Sequence, residues 1–232
     1  MAQELIRRFV CDLQQVETLP DPVYDFGSLQ TEEAPVPTGS RPQAGTPVAG
    51  DLRPLFADRP FTGVDMRPGP GVDAVMDLRA LELEDASVGT ALCLDTLEHC
   101  EDPPQACREL ARVTAPGGIC VLASVMLFGI HAYPSDYFRF TPEAMRSMLA
   151  QGFDDVWAAG IGHPGFPSQV VGVGVMGRSL ADLDALPVLR EAQQAYERGR
   201  GTVRVGIFNY PPGELLGALV RQAPRLMKEL RR

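Results

Sequence analysis

The residues best suited to chemistry in this chain stand at the end of one apolar run. Ala91–Leu94 has no polar alternation, which predicts a strand buried on both faces, as in a parallel sheet. The run stops at Asp95, and Glu98 and His99 follow directly. Ligands of open α/β sheets bind outside the carboxyl ends of the strands. These side chains could therefore bind a ligand or move a proton, or they could only cap and support the following turn.

A second group of reactive side chains follows the next apolar run, Ile119–Val125. We predict that His131 is a general base, because an unperturbed imidazole titrates near pH 6.5. Asp136 would orient the ring or take the proton itself. Arg139 would pair with an acidic substrate or, in a packed loop, with Asp136. The predicted substrate contacts are His99, Tyr133, Tyr137 and Arg139.

Other site chemistries receive little support. The three histidines, His99, His131 and His163, show no metal-ligand spacing, so no metal site is predicted. The sequence contains no nucleophile elbow and no Ser-His-Asp order.

Composition limits the class of protein. The 232 residues, 45% of them hydrophobic, suffice for one large α/β domain with an appendage. A net charge of −9 disfavours nucleic acid as a partner, since that binding depends on clustered Lys and Arg. Five irregularly spaced cysteines suit a reducing cytoplasm rather than a disulfide framework. We expect neither a signal peptide nor a membrane span.

The order of elements predicts a doubly wound, mostly parallel sheet, because apolar strands alternate with helices. Two late strands joined by a short Gly/Pro turn predict an antiparallel hairpin at one sheet edge. We expect an amphipathic helix over residues 1–20, either core-packed or a lid, and the main domain over 21–180. A helical extension over 181–232 would pack on the domain or form a homodimer interface, with membrane-surface binding less favoured.

Acids end three of the predicted strands: Asp25, Asp65 and Asp77. A carboxylate at the end of the second strand suits a ribose, because it can accept hydrogen bonds from both hydroxyls. Only Gly27 follows the first strand, so the Gly-x-Gly-x-x-Gly fingerprint of NAD sites is missing. The Pro/Gly-rich loop from Leu29 to Gly50 is long, and we expect it to order over a bound cofactor.

Three stretches together resemble the class I S-adenosylmethionine-dependent methyltransferases. They are Leu92-Cys-Leu-Asp-Thr-Leu-Glu-His, Arg108-Glu-Leu-Ala-Arg-Val-Thr-Ala-Pro-Gly-Gly and Thr141-Pro-Glu-Ala with the later Leu149-Ala-Gln-Gly-Phe. The resemblance spans roughly residues 20 to 177. It implies a seven-stranded Rossmann-like methyltransferase fold and S-adenosylmethionine as cofactor.

The resemblance also assigns roles by position. Asp25, Gly27 and Ser28 would face the methionine part of the cofactor, and Leu94 and Asp95 would lie beside its amino group. Asp65 would hold the ribose, and Met66 would lie against the adenine. Asp77 and Leu78 would lie near the adenine amino edge.

One position departs from the family pattern. Leu29 stands where a second glycine usually follows the first. The sequence therefore predicts a cytoplasmic methyltransferase acting on a small molecule. The alternative is a non-catalytic, methyltransferase-like binding or assembly subunit.

Overall fold

A computed structural model describes residues 2–30, 51–131, 134–198, 203–205 and 208–210. The helices are α1 (Ala2–Val16), α2 (Pro103–Val113), α3 (Pro142–Leu149) and α4 (Pro187–Arg198). The strands are β1 (Val23–Phe26), β2 (Phe61–Asp65), β3 (Ala74–Val75), β4 (Val88–Leu94), β5 (Thr114–Val125), β6 (Asp155–His163), β7 (Phe166–Val175), β8 (Val203–Val205) and β9 (Phe208–Tyr210). Short 3₁₀ turns cover Arg53–Phe56 and Leu97–His99.

Seven strands form one sheet in the order β3-β2-β1-β4-β5-β7-β6. The pairs from β3 to β5 are parallel, whereas β7 is antiparallel to both β5 and β6. The predicted mostly parallel, Rossmann-like sheet with an antiparallel edge hairpin is thus confirmed. Strand β4 is buried from Val88 to Cys93, so it contains the apolar run Ala91–Leu94 and begins three residues before it.

Helices cover both faces of the sheet. Leu110 of α2 and Met145 of α3 belong to one buried cluster, which packs on one face. Phe9 and Leu13 of α1 join Val188 of α4 in the cluster on the other face. The amphipathic face of α1 therefore packs into the core, which is the first of the two roles expected for it.

The ends of α2 and α3 show why these helices begin where they do. The carboxylate of Asp102 accepts a hydrogen bond from Gln105 N at 3.0 Å, and Pro103 fills the first helical position. Thr141 Oγ1 accepts from Ala144 N at 3.1 Å in the same way. Both caps fix a helix to the loop that leaves a strand end.

Two strands differ in length from their predictions. The stretch Val72–Asp77 predicts a strand ending at Asp77, but only Ala74–Val75 pairs as β3, and Asp77 forms an isolated bridge with Ala80. The Ala115-Pro-Gly-Gly stretch predicts the end of α2, which does end at Val113, but β5 begins at Thr114 rather than at Ile119, where the apolar run starts. Gly117 lies at φ 79°, and its N–H donates to Met176 O at 2.8 Å, so it interrupts the strand locally without ending it.

Within the described part of the C-terminal region, α4 is the one helix. The hairpin of β8 and β9 follows, where a helix was predicted, and its short segments alternate polar with apolar or aromatic residues. Residues 31–50, Tyr133 and the basic stretch beyond Tyr210 lie outside the described residues. Among the helices described, none is long and apolar enough to cross a membrane.

Candidate functional site

Three acids meet at the carboxyl edge of the central strands. Strand β1 lies between β2 and β4, and its register pairs Asp25 with Gly63 on one side and Leu92 on the other. Asp65 is the last residue of β2, and Asp95 follows β4 directly. The topology thus brings together Asp25, Asp65 and Asp95, each of which the sequence predicted at a strand end.

Asp25 is buried beside little compensating charge. It is 6% exposed, and this burial raises its pKa to about 7. The carboxylates of Asp51 and Asp65 raise the pKa further, whereas the guanidinium of Arg53 lowers it. A positively charged or hydrogen-bond-donating ligand at this position would relieve the cost of the buried charge.

Asp95 is held in a strained backbone conformation. Its φ of 50° is left-handed, which few residues other than glycine adopt. Burial raises the pKa of Asp95 to about 7, and the neighbouring Glu98 raises it further. Gln169, with its amide turned to satisfy both neighbours, donates to Asp95 Oδ1 at 3.3 Å and to Ser124 O at 2.8 Å. Strain at a strand end beside buried acids is typical of a functional site.

The predicted ribose residue, Asp65, has one oxygen engaged. Its Oδ1 accepts from Arg67 N at 2.9 Å and lies 3.7 Å from Arg67 Nε. Its side chain is 11% exposed, whereas Met66, predicted to lie against the adenine, is 53% exposed. Both residues stand at the edge where a nucleoside was expected.

Asp77 is more occupied than the sequence indicates. Arg79 binds both of its carboxylate oxygens, through Nε at 3.0 Å to Oδ1 and Nη2 at 2.7 Å to Oδ2. This ion pair lowers the pKa of Asp77. Leu78 and Leu94 are half-buried and pack against the two core clusters.

Gly27 is required by packing as well as by its backbone angle. It has φ 98°, and a Cβ built there would lie 1.9 Å from Thr96 Oγ1. Thr96 donates to Phe26 O at 3.2 Å and to Leu94 O at 3.0 Å, so its side chain fills the space above the glycine. Ser28 is buried, and its Oγ has no hydrogen-bond partner within the described ranges.

Leu29 packs against the loop that follows β2. A Cβ at Gly69 would lie 2.4 Å from Leu29 Cδ1, and Gln30 N donates to Pro70 O at 2.9 Å. The chain leaving β1 therefore runs alongside the loop leaving β2. A leucine here closes space that a glycine would leave open.

The substrate-side residues assemble around Glu98. This residue is 1% exposed, and its Oε2 accepts from Ser124 Oγ at 2.6 Å. Its backbone carbonyl accepts from Tyr137 N at 2.8 Å, which ties the following loop to the 3₁₀ turn. The rings of His99 and His131 meet edge to face, with centroids 4.8 Å apart.

Asp136 is fixed as a carboxylate. Arg139 donates to it through Nη1 at 2.5 Å and Nη2 at 2.7 Å, and His131 N donates at 2.8 Å. These contacts hold the pKa of Asp136 well below its usual range, so it is suited to orienting a ring rather than to accepting a proton. The ion pair is the packed-loop alternative stated for Arg139. Tyr137 is exposed and donates to Glu101 Oε1 at 3.0 Å.

Sequence reasoning did not select several residues of this site. Gln169 comes from β7, far along the chain, and no local pattern marks it. Thr96 and Ser124 are small polar residues whose roles depend on contacts across strands. Glu98 carried a signal, since it lies next to His99 after a strand end, but the sequence left its role open.

The strand order and the antiparallel edge hairpin give the Rossmann-like methyltransferase fold that the sequence predicted. Residues 58–122, from just before β2 to within β5, match a family model described as a methyltransferase domain. This match and the fold confirm the resemblance to class I S-adenosylmethionine-dependent methyltransferases, and with it the predicted cofactor. No protein of curated function matches the sequence.

Solved structures share the fold at low sequence identity. A Haloferax volcanii complex of the Trm112 methyltransferase activator and a putative methyltransferase gives 15% identity, a TM-score of 0.51 and coverage of 74% of this chain and 89% of that chain. PH0226 protein from Pyrococcus horikoshii is 14% identical with a TM-score of 0.51, and the match covers 75% of this chain and 88% of that chain. A third structure is phosphoethanolamine N-methyltransferase 2 from Haemonchus contortus in complex with S-adenosyl-L-methionine. It is 11% identical with a TM-score of 0.51, and the match covers 74% of this chain and 52% of that chain.

The described residues fit such a cofactor in charge. Asp25 and Asp95 are carboxyls with raised pKa values at adjacent strand ends, and burial is the main cause for each. S-adenosylmethionine carries a sulfonium and an ammonium, which would supply the missing positive charge. Its ribose hydroxyls are donors of the kind that Asp65 can accept.

Proposed function

We propose that this chain is an S-adenosylmethionine-dependent methyltransferase that acts on a small-molecule acceptor. The observation that carries the proposal is the convergence of Asp25, Asp65 and Asp95 at one edge of β1, β2 and β4. Bound S-adenosylmethionine supplies a methyl group on a sulfonium, which is already a good leaving group. The chain's own contribution is then mainly alignment of the two reactants.

Each acid has a separate task in this proposal. Asp65 accepts hydrogen bonds from the ribose hydroxyls, and Asp25 and Asp95 balance the positive charges of the methionine part. The backbone of Gly27 and Ser28 borders that part, since both N–H groups bond to Val64 O at 2.7 and 3.0 Å and so fix the loop after β1. Met66, Asp77 and Leu78 border the adenine.

The acceptor would enter over the loop between β5 and α3. His131 takes the proton that an acceptor hydroxyl or ammonium loses. Asp136 orients the imidazole ring, since its Oδ2 lies 3.3 Å from His131 Nδ1. His99 and Tyr137 line the approach. Tyr133 and Arg139 are kept as substrate contacts in the proposal, with Arg139 also holding Asp136.

A specific observation favours a second candidate, a methyltransferase-like binding or assembly subunit without catalysis. Thr96 fills the space above Gly27, and Leu29 packs on Gly69. Both contacts narrow the region next to the strand ends. The two candidates differ in whether the chain binds the cofactor.

Calorimetric titration of the full chain with S-adenosylhomocysteine separates them. We expect binding, and we expect Asp65→Ala to weaken it by about 30- to 150-fold, which corresponds to about 2–3 kcal/mol of hydrogen bonding to a charged group. Asp85→Asn is the matched control, because it removes an exposed carboxylate paired with Arg112 at 2.6 Å, outside the candidate site. It should leave the affinity unchanged.

If the wild-type chain shows no binding at millimolar S-adenosylhomocysteine, the result would favour the non-catalytic binding or assembly subunit. An unchanged dissociation constant in a folded Asp65→Ala variant would contradict the ribose assignment while leaving the cofactor itself in place. Circular dichroism and thermal unfolding show whether the variant is folded.

A further inference from the structure

We infer that Glu98, His99 and His131 form a binding site for one divalent transition-metal ion. The site stands beside the acids assigned to the cofactor but uses none of them. It does not depend on the proposed function, although an ion on His131 would occupy the lone pair that takes the acceptor's proton, so the base role of His131 belongs to the metal-free chain.

The three side chains converge although the sequence separates them. One ligand atom from each, a ring nitrogen or a carboxylate oxygen, lies within 4.8 Å of the other two. Zinc bonds to nitrogen and oxygen are about 2.0–2.2 Å long, which puts ligand atoms of a tetrahedral site roughly 3.4 Å apart. Small side-chain rotations that shorten these separations by about 1.4 Å would therefore bring the three atoms into bonding distance of one ion.

The hydrogen bonds of each histidine leave one ring nitrogen available to bind a metal. His99 Nδ1 contacts the carbonyl of Ser135, and His131 Nδ1 lies 3.2 Å from Gly129 O and 3.3 Å from Asp136 Oδ2. An Nδ1–H bonded to an oxygen places the lone pair on Nε2, the atom that then binds a metal. Such outer contacts to carbonyls and carboxylates accompany nearly all metal-binding histidines.

Glu98 supplies the observation that points to a ligand. The residue is 1% exposed, and Ser124 Oγ occupies its Oε2. Its Oε1 is buried and has no hydrogen-bond partner among the described residues. A buried carboxylate oxygen without a donor is costly, and a bound cation would remove that cost.

The loop that carries His131 is fixed toward Glu98. Tyr137 N and Phe138 N both donate to the Glu98 carbonyl, and the Asp136–Arg139 pair closes the loop around His131 N. The histidine is therefore held against the 3₁₀ turn that carries His99. Preorganisation of this kind keeps ligands together without the ion.

The donor set indicates the class of metal. Two imidazoles and one carboxylate suit zinc, iron, cobalt or nickel, whereas magnesium and calcium prefer oxygen alone. Three protein ligands leave further coordination positions open, as in sites where a metal binds a water or an exogenous ligand.

Titration with Zn²⁺ and Co²⁺ tests the inference on the full chain, produced without a histidine tag and stripped with a chelator. We expect one ion per chain by calorimetry and by elemental analysis after dialysis. Co²⁺ should give visible d–d bands without a thiolate charge-transfer band. Glu98→Gln, which keeps the shape, and His131→Ala should each weaken binding at least tenfold.

His163→Ala is the control, because it removes the third histidine of the chain outside the cluster and should leave binding intact. A rise of the unfolding temperature with Zn²⁺ in wild type, absent in a folded Glu98→Gln, is a second readout that requires no cofactor.

Four results would overturn the site: no binding at millimolar metal, unaltered affinity in both site variants, equal loss in His163→Ala, or a thiolate band placing the ion on a cysteine. None of these measurements depends on S-adenosylhomocysteine, so the metal site and the proposed function fail independently.

Discussion

Replacing Asp25 with Asn should make the ligand-free chain more stable at alkaline pH and change little in acid. The substitution keeps the size of the side chain and removes its charge. Asp25 is 6% exposed, and burial raises its pKa to about 7 from the ordinary 3.8. The folded state therefore holds a proton that the unfolded state releases, and wild type loses stability as pH rises between these two values.

The size of the effect follows from the two pKa values. At 1.36 kcal/mol per pKa unit, the rise to about 7 corresponds to about 4 kcal/mol of destabilisation above pH 7. At pH 4.5 the same linkage leaves about 1 kcal/mol. The advantage of Asp25→Asn over wild type should therefore grow by about 3 kcal/mol from pH 4.5 to 8.5. For a chain of this length, that is roughly 6–12 °C in unfolding temperature.

Thermal or urea unfolding of both proteins at a series of pH values measures this difference. Asp85→Asn removes an exposed carboxylate, and its difference from wild type should stay small across the same range. If the advantage of Asp25→Asn does not change with pH, or if it shrinks as pH rises, Asp25 is not a carboxyl destabilised by burial. The argument for a cationic ligand at this position would then lose its basis.

Two further predictions concern the loop between β5 and α3. Asp136→Asn should destabilise the chain by about 2 kcal/mol at pH 7, because two ion-pair contacts with Arg139 and one hydrogen bond from His131 N are weakened and Arg139 is partly exposed. The pKa of Asp136 is depressed in the folded state, so its contribution to the free energy of unfolding is full above the unfolded pKa near 3.9 and is lost as pH falls through the folded pKa. Urea unfolding of wild type and Asp136→Asn from pH 7 downward measures this loss. A stability difference that persists unchanged in acid would contradict the prediction. His131→Ala should lower turnover by about 10²- to 10⁴-fold with an acceptor found by labelled-methyl screening, and leave S-adenosylhomocysteine affinity unchanged. Near-full turnover in that variant would exclude His131 as the base.

The sheet could be predicted from sequence because its signals are local. An apolar run such as Ala91–Leu94 fits a parallel strand buried on both faces, and Pro103 after Asp102 marks a helix start. Where neighbouring strands decide, local signals fail. The apolar run predicts a strand from Ile119, yet β5 begins at Thr114, which pairs with Val88 of β4.

The acids of the site were predictable for a related reason. Parallel strands end at the same edge, so an acid at each strand end must lie near the others. What the sequence could not supply is the environment of each carboxyl. Asp25 and Asp95 are buried with raised pKa values, whereas Arg79 neutralises Asp77 from two residues away. Burial depends on the whole fold, whereas Asp65 and Asp77 each have a local partner two residues along the chain, Arg67 and Arg79.

The histidines show most clearly where spacing ceases to inform. Metal-ligand spacing rules apply when one helix or one turn supplies the ligands, since the local geometry then fixes their separation. Here His99 lies on the turn after β4 and His131 on the loop after β5. Their approach depends on adjacent parallel strands and on hydrogen bonds from Tyr137 and Phe138 to Glu98 O. Spacing along the chain cannot encode such a contact, so a sequence without metal-ligand spacing does not argue against a metal site at a sheet edge.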